Sequence, residues 1–260
     1  MKIGIVSDIH EDAVNLEKAL IALEKQNCDK VVCLGDIIGF SYPNFGFFDT
    51  RNAGRCIDLI KANCAVTVVG NHDLYTVRRV PMHNAGFNYP PYWFQLDYAE
   101  RKKLAGGEVW LNEENEFDPL INAGHRDFLK QLPEFMVLET DSVKIMLSHY
   151  QYPDLTGSSR RLFEKPGPVV DHLNFISDHD CSIGFSGHLH TEGAKVITTL
   201  NEHNFNFETI QLTKEPACIT GPCIANGKYD NGYMIFNTVS FELNVIPLNS
   251  PKRTMQVVYV

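Results

Sequence analysis

Five short polar clusters each follow an apolar run: Asp8-Ile9-His10, Gly35-Asp36, Gly70-Asn71-His72-Asp73, the single His149, and Gly187-His188-Leu189-His190. Taken singly, each has an ordinary explanation. Gly and Asp favour turns, Asn tolerates left-handed backbone, and an isolated histidine is more often a satisfied structural residue than a ligand. Taken together, they follow apolar runs, which puts them at the ends of strands. Carboxylate, imidazole and amide donors gathered on one edge of a fold are what a metal site needs. The set contains no thiolate, and mixed oxygen and nitrogen donors suit manganese, iron or zinc. The His188-Leu189-His190 spacing lets a turn just past a strand aim both imidazoles at one cluster, with Gly187 permitting close backbone approach.

The surrounding pattern supplies elements able to hold these groups. Residues 2–9 are a run rich in β-branched side chains, and residues 12–26 carry Ala13, Leu16, Leu20 and Leu23 at helical spacing. A strand over 31–34, a helix over 55–63 and a strand over 65–69 complete a β-α-β-α-β order. That alternation predicts a parallel sheet with right-handed crossovers and a ligand site beyond the carboxyl ends of its strands, where Asp8, Asp36 and Asn71 fall. Residues 74–132 are irregular, with Pro81, Pro90, Pro91 and Pro119 and an aromatic stretch from Phe87 to Phe94. They read as an insertion or lid, with a helix at 126–132, inside a single domain spanning 1–260. Strands over 135–139 and 143–147 flank a hairpin turn at Asp141-Ser142, and a helix over 168–178 opens with Pro168. Strand patterns at 182–186, 194–200, 205–212, 216–220, 232–238, 241–247 and 255–259 predict a second, largely antiparallel sheet.

Composition excludes several classes of function. With 260 residues, 44% hydrophobic and 21% charged, the chain can bury a core and is not disordered. A formal net charge of −9 opposes non-specific binding to nucleic acid or a membrane surface, which needs a basic face. No apolar run approaches a bilayer span, and the start of the chain does not resemble a secretory signal. Seven cysteines without a C-x-x-C pair predict buried free thiols in a reducing cytoplasm.

The ordered set D-x-H, G-D, G-N-H-D, a later His, then G-H-x-H resembles the calcineurin-like metallophosphoesterase superfamily. The resemblance implies an α/β (α+β) fold: a four-layer αββα sandwich of two mixed β-sheets flanked by helices. It implies one metal held by Asp8, His10, Asp36 and His190, and a second held by Asp36, Asn71, His149 and His188, with Asp36 bridging. His72 would sit over the substrate phosphate as electrophile or general acid, oriented by Asp73, with Asn71 and His72 contacting substrate. The cofactors implied are two divalent or mixed-valence ions, manganese first, with iron or zinc as alternatives. Two such cations roughly 3.5–4 Å apart generate hydroxide near neutral pH and brace phosphoryl oxygens for in-line attack.

The segment Gly35-Asp36-Ile37-Ile38-Gly39-Phe40 lacks the Asp-Arg-Gly block found in the superfamily's protein phosphatases, and is similar instead to its small bacterial phosphoesterase branch. The run from Thr220 to Phe236 is similar to that branch's final block, although Gly221-Pro222-Cys223 departs from its usual order. Without a clamping Arg, a phosphodiester or nucleotide-type small molecule is the more natural substrate. A phosphomonoesterase, a nuclease and a non-catalytic interaction scaffold are the alternatives. Arg160-Arg161 reads as a solvated pair and Phe87–Phe94 as ordinary packing. Oligomeric state is left open.

Overall fold

Alternate residues of the first strand, β1 (Lys2–Val6), are buried on opposite faces, as a strand in the middle of a covered sheet requires. Ile3 and Ile5 enter a core between two sheets, whereas Val6 faces a helical layer. A computed structural model of the chain describes residues 1–114, 116–160 and 168–252. α1 (Ala13–Lys25) begins where the Asp12 carboxylate accepts the Asn15 N–H, and it buries Leu16, Leu20 and Leu23. α2 (Ala53–Asn63) starts in the same way on Asn52 and buries Ile57 and Ile60.

β1 pairs in parallel with β2 (Lys30–Cys33), which pairs in parallel with β4 (Val66–Thr67). The expected strand over 65–69 is therefore shortened to two residues. A short β3 (Phe40–Ser41) pairs with β5 (Glu116–Phe117) outside both main sheets. The hairpin β6 (Phe135–Glu139) and β7 (Lys144–Ser148) leads to α6 (Pro168–Asp178) and β8 (Ile183–Ser186), much as the sequence predicts.

The last third departs from the prediction of one second, largely antiparallel sheet. β9 (Ala194–Thr198), β10 (Glu202–Phe205) and β12 (Ala217–Thr220) join the second sheet, in the order β10-β9-β12-β8-β7-β6. There β8 runs parallel to both β7 and β12. β13 (Gly232–Asn237) and β14 (Glu242–Pro247), with β11 (Thr209–Gln211), return to the first sheet as β11-β14-β13-β1-β2-β4. Apolar alternation fixes which face of a strand is buried and says nothing of which neighbour it takes. The expected strand over 205–212 is split, its two ends belonging to different sheets, and the one expected over 255–259 lies outside the described residues.

Both sheets are mixed, and their inner faces meet through Ile3, Leu34, Leu147, Phe185, Ile219 and Phe236. α1 and α2 cover the outer face of the first, and α6 covers the second through Leu173 and Ile176 against Met146 and Cys218. The result is the four-layer αββα sandwich. Within 74–132, α4 (Tyr98–Ala105) and α5 (Ala123–Gln131) are helical, and Phe87, Trp93, Ala105, Val109 and Leu111 form a separate small core. α5 begins three residues earlier than expected because Asn122 caps it. All seven cysteines are free thiols and five are buried. Among the described residues no helix is long and apolar enough to cross a membrane.

Candidate metal centre

Every sequence-predicted donor lies just past the carboxyl end of a strand: Asp8 and His10 after β1, Asp36 after β2, Asn71 after β4, His149 after β7, and His188 and His190 after β8. Parallel neighbours deliver their C-terminal ends to one edge, so both sheets contribute to one cluster. Asp8, His10, Asp36, His188 and His190 all adopt left-handed backbone, with φ of 53°, 46°, 49°, 67° and 48°. Asp and His are among the residues that tolerate this region, and its concentration here marks loops bent to point side chains inward. Gly70 and Gly187 make room: a Cβ on Gly70 would overlap the Asp36 carboxylate, and one on Gly187 would overlap Ser7 and Asp8.

Three overlapping groups of donor atoms lie within 4.8 Å of one another: Asp8, His10 and His190; His10, Asp36 and His72; and Asp36, His149 and His188. Asp36 Oδ2 is the hub, 3.0 Å from His149 Nε2, 3.7 Å from His72 Nε2 and 3.9 Å from His10 Nε2. Its Oδ1 accepts the His72 backbone N–H at 2.9 Å. Asp8 Oδ1 lies 3.2 Å from His190 Nε2, and the His188 backbone N–H donates to the same carboxylate. Asn71, oriented to satisfy both its amide protons, donates to Asp36 Oδ2 at 3.3 Å and to the Thr156 carbonyl at 3.2 Å. In the opposite orientation of the amide its carbonyl oxygen, the atom a cation needs, faces these acceptors instead.

Tautomer logic shows what these atoms require. A carbonyl oxygen only accepts, so His149 Nδ1–H donates to Leu34 O at 2.8 Å and His10 Nδ1–H donates to Gly39 O at 2.8 Å. In the neutral rings each Nε2 therefore carries a lone pair. That of His10 lies 3.0 Å from His190 Nε2, and that of His149 faces the Asp36 carboxylate at 3.0 Å. A lone pair turned onto a carboxylate needs positive charge between them, from a proton or a cation. Carbonyl-fixed imidazoles with Nε2 inward are also how metal-ligating histidines are usually held. The donor set fits borderline divalent cations.

The titration behaviour reflects the same demand. Burial opposes charge on His149, yet Asp36 and Asp8 raise its pKa to about 10. Burial would raise both Asp8 and Asp36, but His190 and His149 hold the first, and His149 and His72 the second, below the usual carboxylate range. His10 and His188 fall to about 3, through burial and then neighbouring imidazolium charge.

The surroundings of His72 differ from expectation. Asp73 accepts backbone N–H groups from Ile37 at 3.0 Å, Ile38 at 3.2 Å and Gly70 at 3.1 Å. It thus ties the Asp36 loop to the start of α3 (Asn71–Thr76), a helix the sequence reading did not contain. Burial and then Asp36 push its pKa to about 7. The carboxylate in contact with the His72 ring is Glu116, at the edge of β5. Burial lowers the basicity of His72, but Glu116 and then Asp36 bring it up to about 9. Trp110 packs on the same ring at 4.4 Å between centroids. Sequence reasoning missed both Glu116 and Trp110, which lie in the irregular stretch with no periodicity or motif to single them out.

The sequence matches the calcineurin-like phosphoesterase superfamily domain over residues 1–204, and the chain belongs to that superfamily. A curated relative, an uncharacterized protein of Methanocaldococcus jannaschii, is 34% identical over 71 residues, 27% of this chain and 26% of that protein. The matched stretch thus spans about a quarter of that relative's length. A solved metallophosphoesterase from Sphaerobacter thermophilus is similar with a TM-score of 0.64 at 19% identity, covering 96% of this chain and 89% of that one. A hypothetical protein from Pyrococcus horikoshii gives 0.58 at 12% identity, covering 95% and 87%. Identities this low establish the shared fold.

Proposed function

We propose that the chain is a metal-dependent phosphoesterase acting on small phosphodiesters. The observation that carries this reading is the convergence of Asp8, His10, Asp36, Asn71, His149, His188 and His190 on one centre that demands positive charge. In this assignment Asp8, His10, Asp36 and His190 hold one cation, and Asp36, Asn71, His149 and His188 a second, manganese being the first choice. Such a pair supplies Lewis acidity, bringing the pKa of water toward neutrality and drawing charge from phosphoryl oxygens.

The remaining steps belong to the chain. Glu116 braces one side of His72 and leaves Nε2 directed toward Asp36. Held protonated, that ring donates its Nε2 proton to the departing alkoxide oxygen and stabilises charge on phosphorus oxygens. Asp73 fixes the loop that carries Asp36 and the turn that carries His72. Ile37 and Ile38, fully buried, occupy the positions after Asp36 and leave no cation there to clamp a dianionic monoester. That favours a diester, which carries one charge fewer.

Manganese-dependent release of p-nitrophenol from bis-p-nitrophenyl phosphate, lost on chelation, is the expected result. Absence of hydrolysis with stoichiometric metal bound favours a scaffold, and much faster turnover of p-nitrophenyl phosphate overturns the diester preference.

A further inference from the structure

A cavity of about 420 Å³ opens beside the metal centre, lined by Asn71, His72, Trp110, Gly157, Arg160 and His188 among others. That volume lies within the range of small-molecule sites. Two segments far apart in sequence build its outer wall. Trp110 N–H donates to Ser158 O at 2.9 Å, Arg160 N–H donates to Glu108 O at 2.8 Å, and Val109 pairs with Ser159 as an antiparallel bridge. Val109 is buried, and Trp110, the buried Ser159 and Arg160 border the cavity. The Asp154 carboxylate, itself fully buried, accepts N–H groups from Thr156, Ser158 and Ser159 and so fixes this wall against the metal loops. Trp110 is held from behind by the edge-on ring of Tyr75 at 5.5 Å. A pre-set indole face and a guanidinium at the rim, next to a phosphoester site, match a substrate with a flat aromatic group and a nearby negative charge.

We propose that Trp110 and Arg160 form a specificity subsite for a nucleoside on the retained side of the phosphodiester, its base stacked on the indole and Arg160 facing the phosphate charge. The proposal rests on the phosphoesterase reading above and adds the substrate class. It also moves the stacking role away from Phe87–Phe94, whose Phe87 and Trp93 are buried in their own core.

The test compares two diesters with the same leaving group, the p-nitrophenyl ester of thymidine 5′-monophosphate and methyl p-nitrophenyl phosphate, on the manganese-loaded protein. The thymidine ester is expected to have the higher kcat/KM by roughly 5- to 150-fold, the range of one base stack. Because both esters share the reacting phosphorus, any effect of a Trp110 change on His72 cancels in the ratio. Trp110→Ala brings the ratio to near unity, mainly through KM, and Trp110→Phe keeps part of it. Arg160→Gln raises KM for both esters alike. Equal kcat/KM in the wild type, or a preference that survives Trp110→Ala, overturns the subsite. If neither ester is hydrolysed the phosphoesterase reading fails, and the subsite is judged by fluorescence. Thymidine 5′-monophosphate should quench the emission of the wild type more than methyl phosphate does, and this difference should vanish in Trp110→Phe, which keeps only the buried Trp93 of the two tryptophans. No quenching, or quenching that persists in Trp110→Phe, overturns the proposal.

Discussion

The carboxylate of Glu116 lies in contact with the His72 ring on the side away from Asp36, so one imidazole is held between two carboxylates supplied by different parts of the chain. Glu116→Gln removes the first of the two charges that raise His72. In the proposed mechanism the protonated ring is the proton donor, and its population falls as pH rises through the pKa that Glu116 and then Asp36 hold above the ordinary histidine value. The variant is therefore expected to lose activity at lower pH than the wild type, with the alkaline limb of the pH–rate profile displaced toward neutrality. An unmoved alkaline limb would show that Glu116 does not act through His72.

His72→Asn separates proton donation from metal chemistry. A p-nitrophenolate leaves without help, whereas an alkoxide needs a proton. The rate on a dialkyl phosphate should drop by roughly 10²–10⁴-fold, the usual scale of general acid catalysis, and by much less on the nitrophenyl ester. Equal losses on both substrates would assign His72 to phosphate binding instead.

Asp36→Asn should cut activity by at least roughly 10³-fold, since the cations together contribute several kcal/mol to the transition state. Metal content measured after dialysis should fall with it, because Oδ2 is shared by three imidazoles. Full activity at normal metal content would remove Asp36 from the centre.

Gly70→Ala tests the backbone rather than a ligand. The added methyl would overlap Asp36, so the loop must shift. Weaker manganese binding in a calorimetric titration, with far-ultraviolet circular dichroism unchanged, is the expected outcome.

His172 gives a pH dependence independent of the metal. It is buried in α6, its Nδ1 accepts the Tyr152 N–H at 2.9 Å, and its Nε2 has no partner among the described residues. Burial lowers its pKa to about 4. The unfolded chain binds this proton below about 6.5 while the folded chain refuses it until about 4, so stability falls as pH drops through that window, by about 3 kcal/mol in all. Below it the loss levels off. Urea unfolding of the wild type and His172→Gln between these pH values should show a steeper decline in the wild type.

The donors were legible in the sequence because each is anchored to a local signal, an apolar run followed by a polar cluster. Asp8, Asp36 and His149 follow strands that any periodicity count finds. Helices with a capping side chain and a buried face, such as α1 and α2, were equally plain. Strand partnership was not: Ile235 and Val245 alternate just as Ile197 and Ile219 do, yet the first pair sits in one sheet and the second in the other. That choice is made by long-range pairing, which leaves no local trace. The same holds for Glu116 and Trp110, placed by a two-residue ladder and a single bridge. The role expected of Asp73 beside His72 shows a third kind of gap. The family resemblance put the two together, whereas the backbone amides of Gly70, Ile37 and Ile38 engage the Asp73 carboxylate.

β1 is flanked by β2 on one side and by β13 on the other, its register running from Lys2 opposite Asn237 to Ile5 opposite Met234. Beyond it, the carbonyls of Ser7 and Asp8 accept N–H groups from Ile224 and Ala225. The first of the proposed ligands made during synthesis is thus among the last to be locked in place. A nascent chain that has emerged only through His190 carries every donor of the centre but lacks one whole side of the strand that aims Asp8. Ribosome-bound intermediates of that length should hold an incomplete pocket, and its final geometry should arise only when β13 docks.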